Sequence, residues 1–204
     1  TRINTDFEHD SRSVSVLLLL DLSESLNDIV EATNQSILEL SQEAVSLLAW
    51  SVEQLGDNFA IAGFNSNTRE KVMYYHIKGY SEHWDDTVKA RLANLKAEYS
   101  TRMGAAIRHG THYLNLQKSD KKLMLILTDG EPSDIDVNDS EMLIKDTHKA
   151  VQECQQKGMY PYCISLDNKA DEYISDVFGS HYSVIDRIES LPKELPQLFL
   201  SLTK

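Results

Sequence analysis

VSVLLLLDLSES, residues 14–25, carries the reading on which the rest of the chain turns. Residues 14–20 form an apolar block interrupted only by Ser15, the pattern of a strand buried on both faces of a parallel sheet. A membrane span needs about 20 such residues, so this block is far too short to be one. The apolar run stops at Asp21, and Ser23 and Ser25 follow at alternate positions. One carboxylate and two hydroxyls are therefore expected on the turn leaving the carboxyl end of a central strand, where open α/β sheets place their ligands. All three are hard oxygen donors of the kind Mg²⁺ takes.

A lone D-x-S-x-S is weak, because each of its residues is common in turns and helix caps. Two further stretches strengthen it. In KKLMLILTDGEPSD, residues 121–134, a second apolar run over 123–127 again ends in a carboxylate, Asp129, followed by Gly130. In STRMGAAIRHG, residues 100–110, Thr101 stands just before a helical pattern. Asp21, Ser23, Ser25, Thr101 and Asp129, in this order and context, resemble the von Willebrand factor A domain with an intact metal-ion-dependent adhesion site. The resemblance implies that Asp21, Ser23, Ser25 and Thr101 ligate Mg²⁺ (or Mn²⁺), with Asp129 in the metal shell or just behind it. It also implies that an Asp or Glu of a partner protein completes the octahedron. The site is expected at the sheet edge and outside the core, so that Asp21→Ala is tolerated by the fold.

Composition fits this. A chain of 204 residues, 41% hydrophobic and 25% charged, suffices for one α/β domain with a full core. A formal net charge of −12 argues against nucleic acid, whose phosphates it would repel. Cys154 and Cys163 read as small core residues rather than a disulfide framework, which leans towards the cytoplasm. No signal peptide, transit peptide or spanning segment is read, so no membrane is expected. The first residue is Thr1 rather than Met, which suggests a domain of a longer protein.

Outward from the first strand, residues 1–13 read as an approach segment or linker and 14–204 as the domain. Residues 26–35 read as a loop above the site. Ser36 with Glu39 has capping-box spacing, opening a helix with Ile37, Leu40, Ala44, Leu47, Leu48 and Leu55 inward until Gly56 stops it. Strands are predicted over 57–65, 72–77, 121–128, 160–166 and 181–185, the first two as an edge hairpin. Helices are predicted over 85–96, 102–116, 140–157, 171–178 and 189–204, with Pro196 a possible kink. Strands alternating with helices give an α/β, doubly wound, mostly parallel six-stranded sheet with one antiparallel edge strand and helices on both faces, Rossmann-like in layout.

Other groups carry less. Asp134, Asp136, Asp139 and Glu141 form an acidic stretch after the fourth strand, and Glu24 and Glu131 add charge at the rim. The histidines show no zinc spacing. No P-loop, dinucleotide turn or nucleophile elbow is present, and no His stands in a suggestive relation to Ser23. A metal-dependent hydrolase would need a general base that is not offered, so a non-catalytic binding module is expected. The stretches LLLLDLSESLND, LLAWSVEQLGDNFAIAGFNS and LILTDGEPSDID are similar to the bacterial subgroup of nitric oxide reductase activation proteins and Rubisco activase adaptors, the latter most of all. That resemblance implies an adaptor bringing a client, Rubisco through its large subunit, to a hexameric MoxR-type AAA+ ATPase. The alternative client is nitric oxide reductase.

Overall fold

The computed structural model describes residues 12–68, 71–130, 139–167, 169 and 173–204. The first strand, β1 (Val14–Asp21), is buried along its whole length, Ser15 and Asp21 included, as expected of a central strand covered on both faces. A 3-10 turn follows at Glu24–Asn27, then a small antiparallel ladder of β2 (Ile29–Val30) and β3 (Gln35–Ser36) where a plain loop was expected. Ser36 caps helix α1 (Ile37–Leu55), its hydroxyl accepting from the Glu39 amide at 3.1 Å. Gly56 ends α1 in the left-handed conformation, φ 75°, that glycine adopts without steric cost.

β4 (Asn58–Thr68) pairs antiparallel with β5 (Lys71–Lys78) as the edge hairpin. Then come α2 (Asp86–Ala93), α3 (Met103–Asn115), β6 (Lys121–Thr128), α4 (Ser140–Gln156) and β7 (Tyr160–Ser165). The chain closes with α5 (Ile174–Phe178), β8 (Tyr182–Val184) and α6 (Leu191–Leu202). α6 runs on through Pro196, whose missing N–H costs the bond to the carbonyl of Pro192.

The main sheet has the order β5-β4-β1-β6-β7-β8, with every pair parallel except β4–β5. The chain winds from β1 outward to β4 and β5, then returns to lay β6 on the other side of β1. The carboxyl edge between β1 and β6 is thus the point where the winding reverses. Alternate residues of β1 feed two cores. Val16, Leu18 and Leu20 pack with α1 and α6, whereas Leu17 and Leu19 pack with α3, α4 and α5. In α1 the buried set is Ile37, Leu40, Ala44, Val45, Leu48, Ala49 and Val52, with Ser41, while Leu47 and Leu55 are exposed, against expectation. In α4 the buried residues are Leu143, Thr147, Ala150, Val151 and Cys154, one stripe at helical spacing. Both cysteines are free and buried. Among the described residues no helix is long and apolar enough to cross a membrane.

Arg12 ties the start of the described chain to its end, donating to the Asp57 carboxylate at 2.9 and 3.1 Å and to Thr203 Oγ1 at 2.7 Å. Gly110 sets how closely α3 approaches the sheet: a Cβ there would stand 2.7 Å from Leu17 Cδ2 and 3.3 Å from Met124 Cε. Gly110→Leu forces extra methylenes into this contact and should cost about 1–3 kcal/mol. Urea denaturation followed by circular dichroism checks it, the midpoint falling with an unchanged slope.

Candidate functional site

The parallel register of β1 and β6 pairs Leu20 with Leu127. One step further along both strands, Asp21 and Thr128 stand side by side at the reversal point. Asp21 is only 2% exposed, which corrects the expectation of a superficial site outside the core. Its buried carboxylate accepts from the Ser23 amide at 3.0 Å, from Thr101 Oγ1 at 3.1 and 3.2 Å, and from Thr128 Oγ1 at 2.7 Å. Ser23 Oγ in turn donates to Asp129 Oδ1 at 3.3 Å and lies 3.2 Å from Ser25 Oγ. The five residues singled out in the sequence are therefore joined in one hydrogen-bonded set. Thr128 is the member that sequence reasoning passed over, quoted only as context for Asp129.

Backbone pairing places the Thr101 arm. The Glu98 amide donates to the Leu22 carbonyl at 2.9 Å, and the Glu24 amide to the Tyr99 carbonyl at 3.0 Å. Ser66 and Ser100 exchange two further bonds, each of 2.9 Å. Between these clamps Tyr99 is held at φ 65°, a left-handed conformation that costs a bulky L-residue about 1–2 kcal/mol. The segment is thus fixed against the exits of both β1 and β4, and Thr101 meets Asp21 as a result.

Burial grades across the set. Asp21, Ser23, Thr101 and Thr128 are buried, Asp129 is half-buried and Ser25 is exposed. Burial, followed by the nearby charge of Asp129, pushes the Asp21 carboxyl up to about 7 against the opposing pull of its three donors. Burial likewise raises Asp129. Among the described residues neither carboxylate forms an ion pair with Lys, Arg or His. No group of three or more His, Cys, Asp and Glu among them could hold a metal ion. The donors here are instead two carboxylates and hydroxyls, an all-oxygen set suited to a hard divalent cation and unsuited to a soft one.

The remaining charged and imidazole groups do other work. Asp139 caps α4 by accepting from the Glu141 amide at 3.1 Å, and Glu141 pairs with Lys145 at 3.2 Å. Glu131, Asp134 and Asp136 lie outside the described residues. His76 and His109 join Tyr74 and Tyr113 in an edge-to-face cluster between β5 and α3.

The family model for the von Willebrand factor type A domain matches residues 15–187. Protein NorD of Brucella melitensis is 33% identical over 202 residues, covering 98% of this chain and 32% of the relative. The chain thus spans about a third of the length of the curated relatives it matches. Among solved structures, the PilB minor pilin of Streptococcus sanguinis superposes with a TM-score of 0.76 at 15% identity, over 98% of this chain and 63% of that one. The manganese-loaded TRAP protein of Plasmodium vivax gives 0.60 at 16% identity, over 91% and 74%. At such identities the likeness is one of fold.

The crowding of two acids yields a stability prediction. In EDTA, Asp129→Asn removes the second negative charge and should raise the melting temperature at pH 8. Thr128→Val removes the shortest donor to the buried carboxylate and should lower stability by about 1–3 kcal/mol. Thermal and urea melts of the two variants beside the parent chain check both signs.

Proposed function

Because the chain belongs to the von Willebrand factor type A family, we propose that it is a non-catalytic binding domain which grips a client protein's carboxylate through a Mg²⁺ or Mn²⁺ ion. Asp21, Ser23, Ser25 and Thr101 would hold the ion, with Asp129 in its shell or just behind. The observation that carries this is the buried Asp21 carboxylate, raised to about 7 beside Asp129, in an oxygen-only set with no cationic side chain paired to it among the described residues. A divalent cation offsets both the burial and the repulsion, and when bound it supplies a Lewis-acidic position for an outside carboxylate.

The chain's own residues divide the labour. Thr101, Thr128 and the Ser23 amide orient the Asp21 oxygens. Exposed Ser25 and half-buried Asp129 leave the outer side of the set towards solvent. The Ser23 hydroxyl faces Ser25 and Asp129, not an imidazole, which supports binding over hydrolysis.

The names of the relatives favour one client over another. Several curated relatives at 33–34% identity are named NorD, which supports an adaptor role in nitric oxide reductase activation. None of the names supports Rubisco, carbon fixation or a MoxR-type ATPase, which rest on the sequence resemblance alone. The reading adopted is an adaptor domain for nitric oxide reductase maturation, working within a longer protein in the cytoplasm.

Mg²⁺ should raise the melting temperature of the parent chain and leave Asp21→Ala unmoved. Ser23→Ala and Ser25→Ala should weaken Mg²⁺ binding in titration calorimetry about tenfold or more, each shifting stability by less than roughly 1 kcal/mol. Purified nitric oxide reductase and inhibited Rubisco, each presented with Mg²⁺ and with EDTA, then separate the clients. EDTA-sensitive binding to the reductase is the expected result, and EDTA-sensitive binding to Rubisco alone would reverse the assignment.

A further inference from the structure

Among the described residues, three large apolar side chains stand exposed at the end of the sheet that carries Asp21: Ile29 at 59%, Tyr99 at 43% and Met142 at 50%. Each comes from a different segment. Ile29 follows the 3-10 turn that contains Ser25, and the Asp28 amide bonds back to the Ser25 carbonyl at 3.1 Å. Tyr99 lies two residues before Thr101. Met142, in the first turn of α4, lines a groove of about 360 Å³ with Val72, Arg102 and Ala105. Exposed acids, Glu24, Asp28 and Glu98, lie in the same segments.

Tyr99 is the telling member. Its backbone occupies the left-handed region, where glycine sits without cost and asparagine at little cost, whereas an aromatic residue is strained. The strain persists because bonds from Glu98, Tyr99 and Ser100 to Leu22, Glu24 and Ser66 fix the segment on both sides. More than half of the residue's surface is covered, yet 43% of it stays open to solvent. A glycine would relieve the backbone strain, and the open part of the ring is left available to a partner.

We propose that this face is a docking surface for a protein segment presenting one carboxylate flanked by apolar side chains, with Lys or Arg nearby. The inference rests on the metal-bridge reading for the carboxylate and adds the neighbours that the carboxylate must have. Tyr99, Ile29 and Met142 take the apolar flanks, in the manner of interface aromatic and methionine anchors. Glu24, Asp28 and Glu98 repel a second acid and attract the basic residues. A segment acidic on the Ile29 and Tyr99 side is thereby disfavoured, even though the ion itself would accept any carboxylate and Arg102 lines the Met142 groove.

The test is a phage-displayed library of random peptides selected on the immobilised chain in Mg²⁺. Selected peptides should carry one Asp or Glu among apolar and basic residues. EDTA should release them, and Tyr99→Gly should weaken them about tenfold or more. The same variant should keep the full Mg²⁺ thermal shift and melt at or above the parent temperature, and Tyr99→Asn should behave alike. Equal binding to parent and Tyr99→Gly, peptides without apolar and basic flanks, or failure to select any peptide would overturn the surface. So would a large drop in the melting temperature of both variants, which would make Tyr99 structural. Loss with EDTA but not with Tyr99→Gly keeps the metal bridge and removes this inference. Loss with Tyr99→Gly but not with EDTA does the reverse.

Discussion

One carboxylate, buried at the seam between two parallel strands, constrains most of what surrounds it. Taking Asp21 out of water opposes its ionisation, and Asp129 adds a like charge across the Ser23 hydroxyl. Three donors reach Asp21 from three separate places: its own turn, the end of β6 and the segment before α3. They moderate the penalty without removing it, which is why the carboxyl remains raised. A chain selected for stability alone would have no reason to keep an acid there. Under the proposed reading, a divalent cation offsets that penalty.

Reaching that point depends on the winding of the sheet. β1 carries Asp21 to the carboxyl edge, and the return of the chain to β6 on its other side delivers Thr128 and Asp129 to the same place. The edge hairpin contributes less obviously. β4 continues to Thr68, three residues beyond the end expected from its apolar pattern, and the extension contains Ser66. Ser66 exchanges two backbone bonds with Ser100, so the antiparallel edge of the sheet is what holds the Thr101 arm in place.

Much of this was legible because the sequence speaks most clearly where apolar runs end abruptly. β1 and β6 each carry a long apolar run, residues 16–20 and 123–127, that stops at or just before an acid, and their burial follows from that. The Ser36 cap and the inward stripe of α4 were equally plain, one polar signal and one clean period. α1 was harder because its apolar residues cover more than one face. Leu47 and Leu55 fit a helical period as well as Val45 and Val52 do, and only packing against the sheet and α6 decides which set is buried. The depth of Asp21 could not be read either, since an acid in a turn motif ordinarily signals the surface. Thr128 needed the strand register, and the left-handed backbone of Tyr99 needed the pairing of residues distant in sequence.

These unreadable features are of one kind: each is imposed by tertiary contacts against a local preference. An acid is buried, a tyrosine takes a glycine's conformation, and leucines stay in water. Local rules fail together where a chain gives up stability for another end. Two of the three violations fall within a few residues of the hydrogen-bonded set, and the same clamps explain both. Bonds that force Tyr99 into its strained conformation also set Thr101 against Asp21 before any ion arrives. An ion bound there would have little left to organise on the Thr101 side, so its ordering influence would fall on the less buried pair, Ser25 and Asp129. Those two face the side from which a partner would approach, so the part of the site free to respond to a cation is also the part a client would touch.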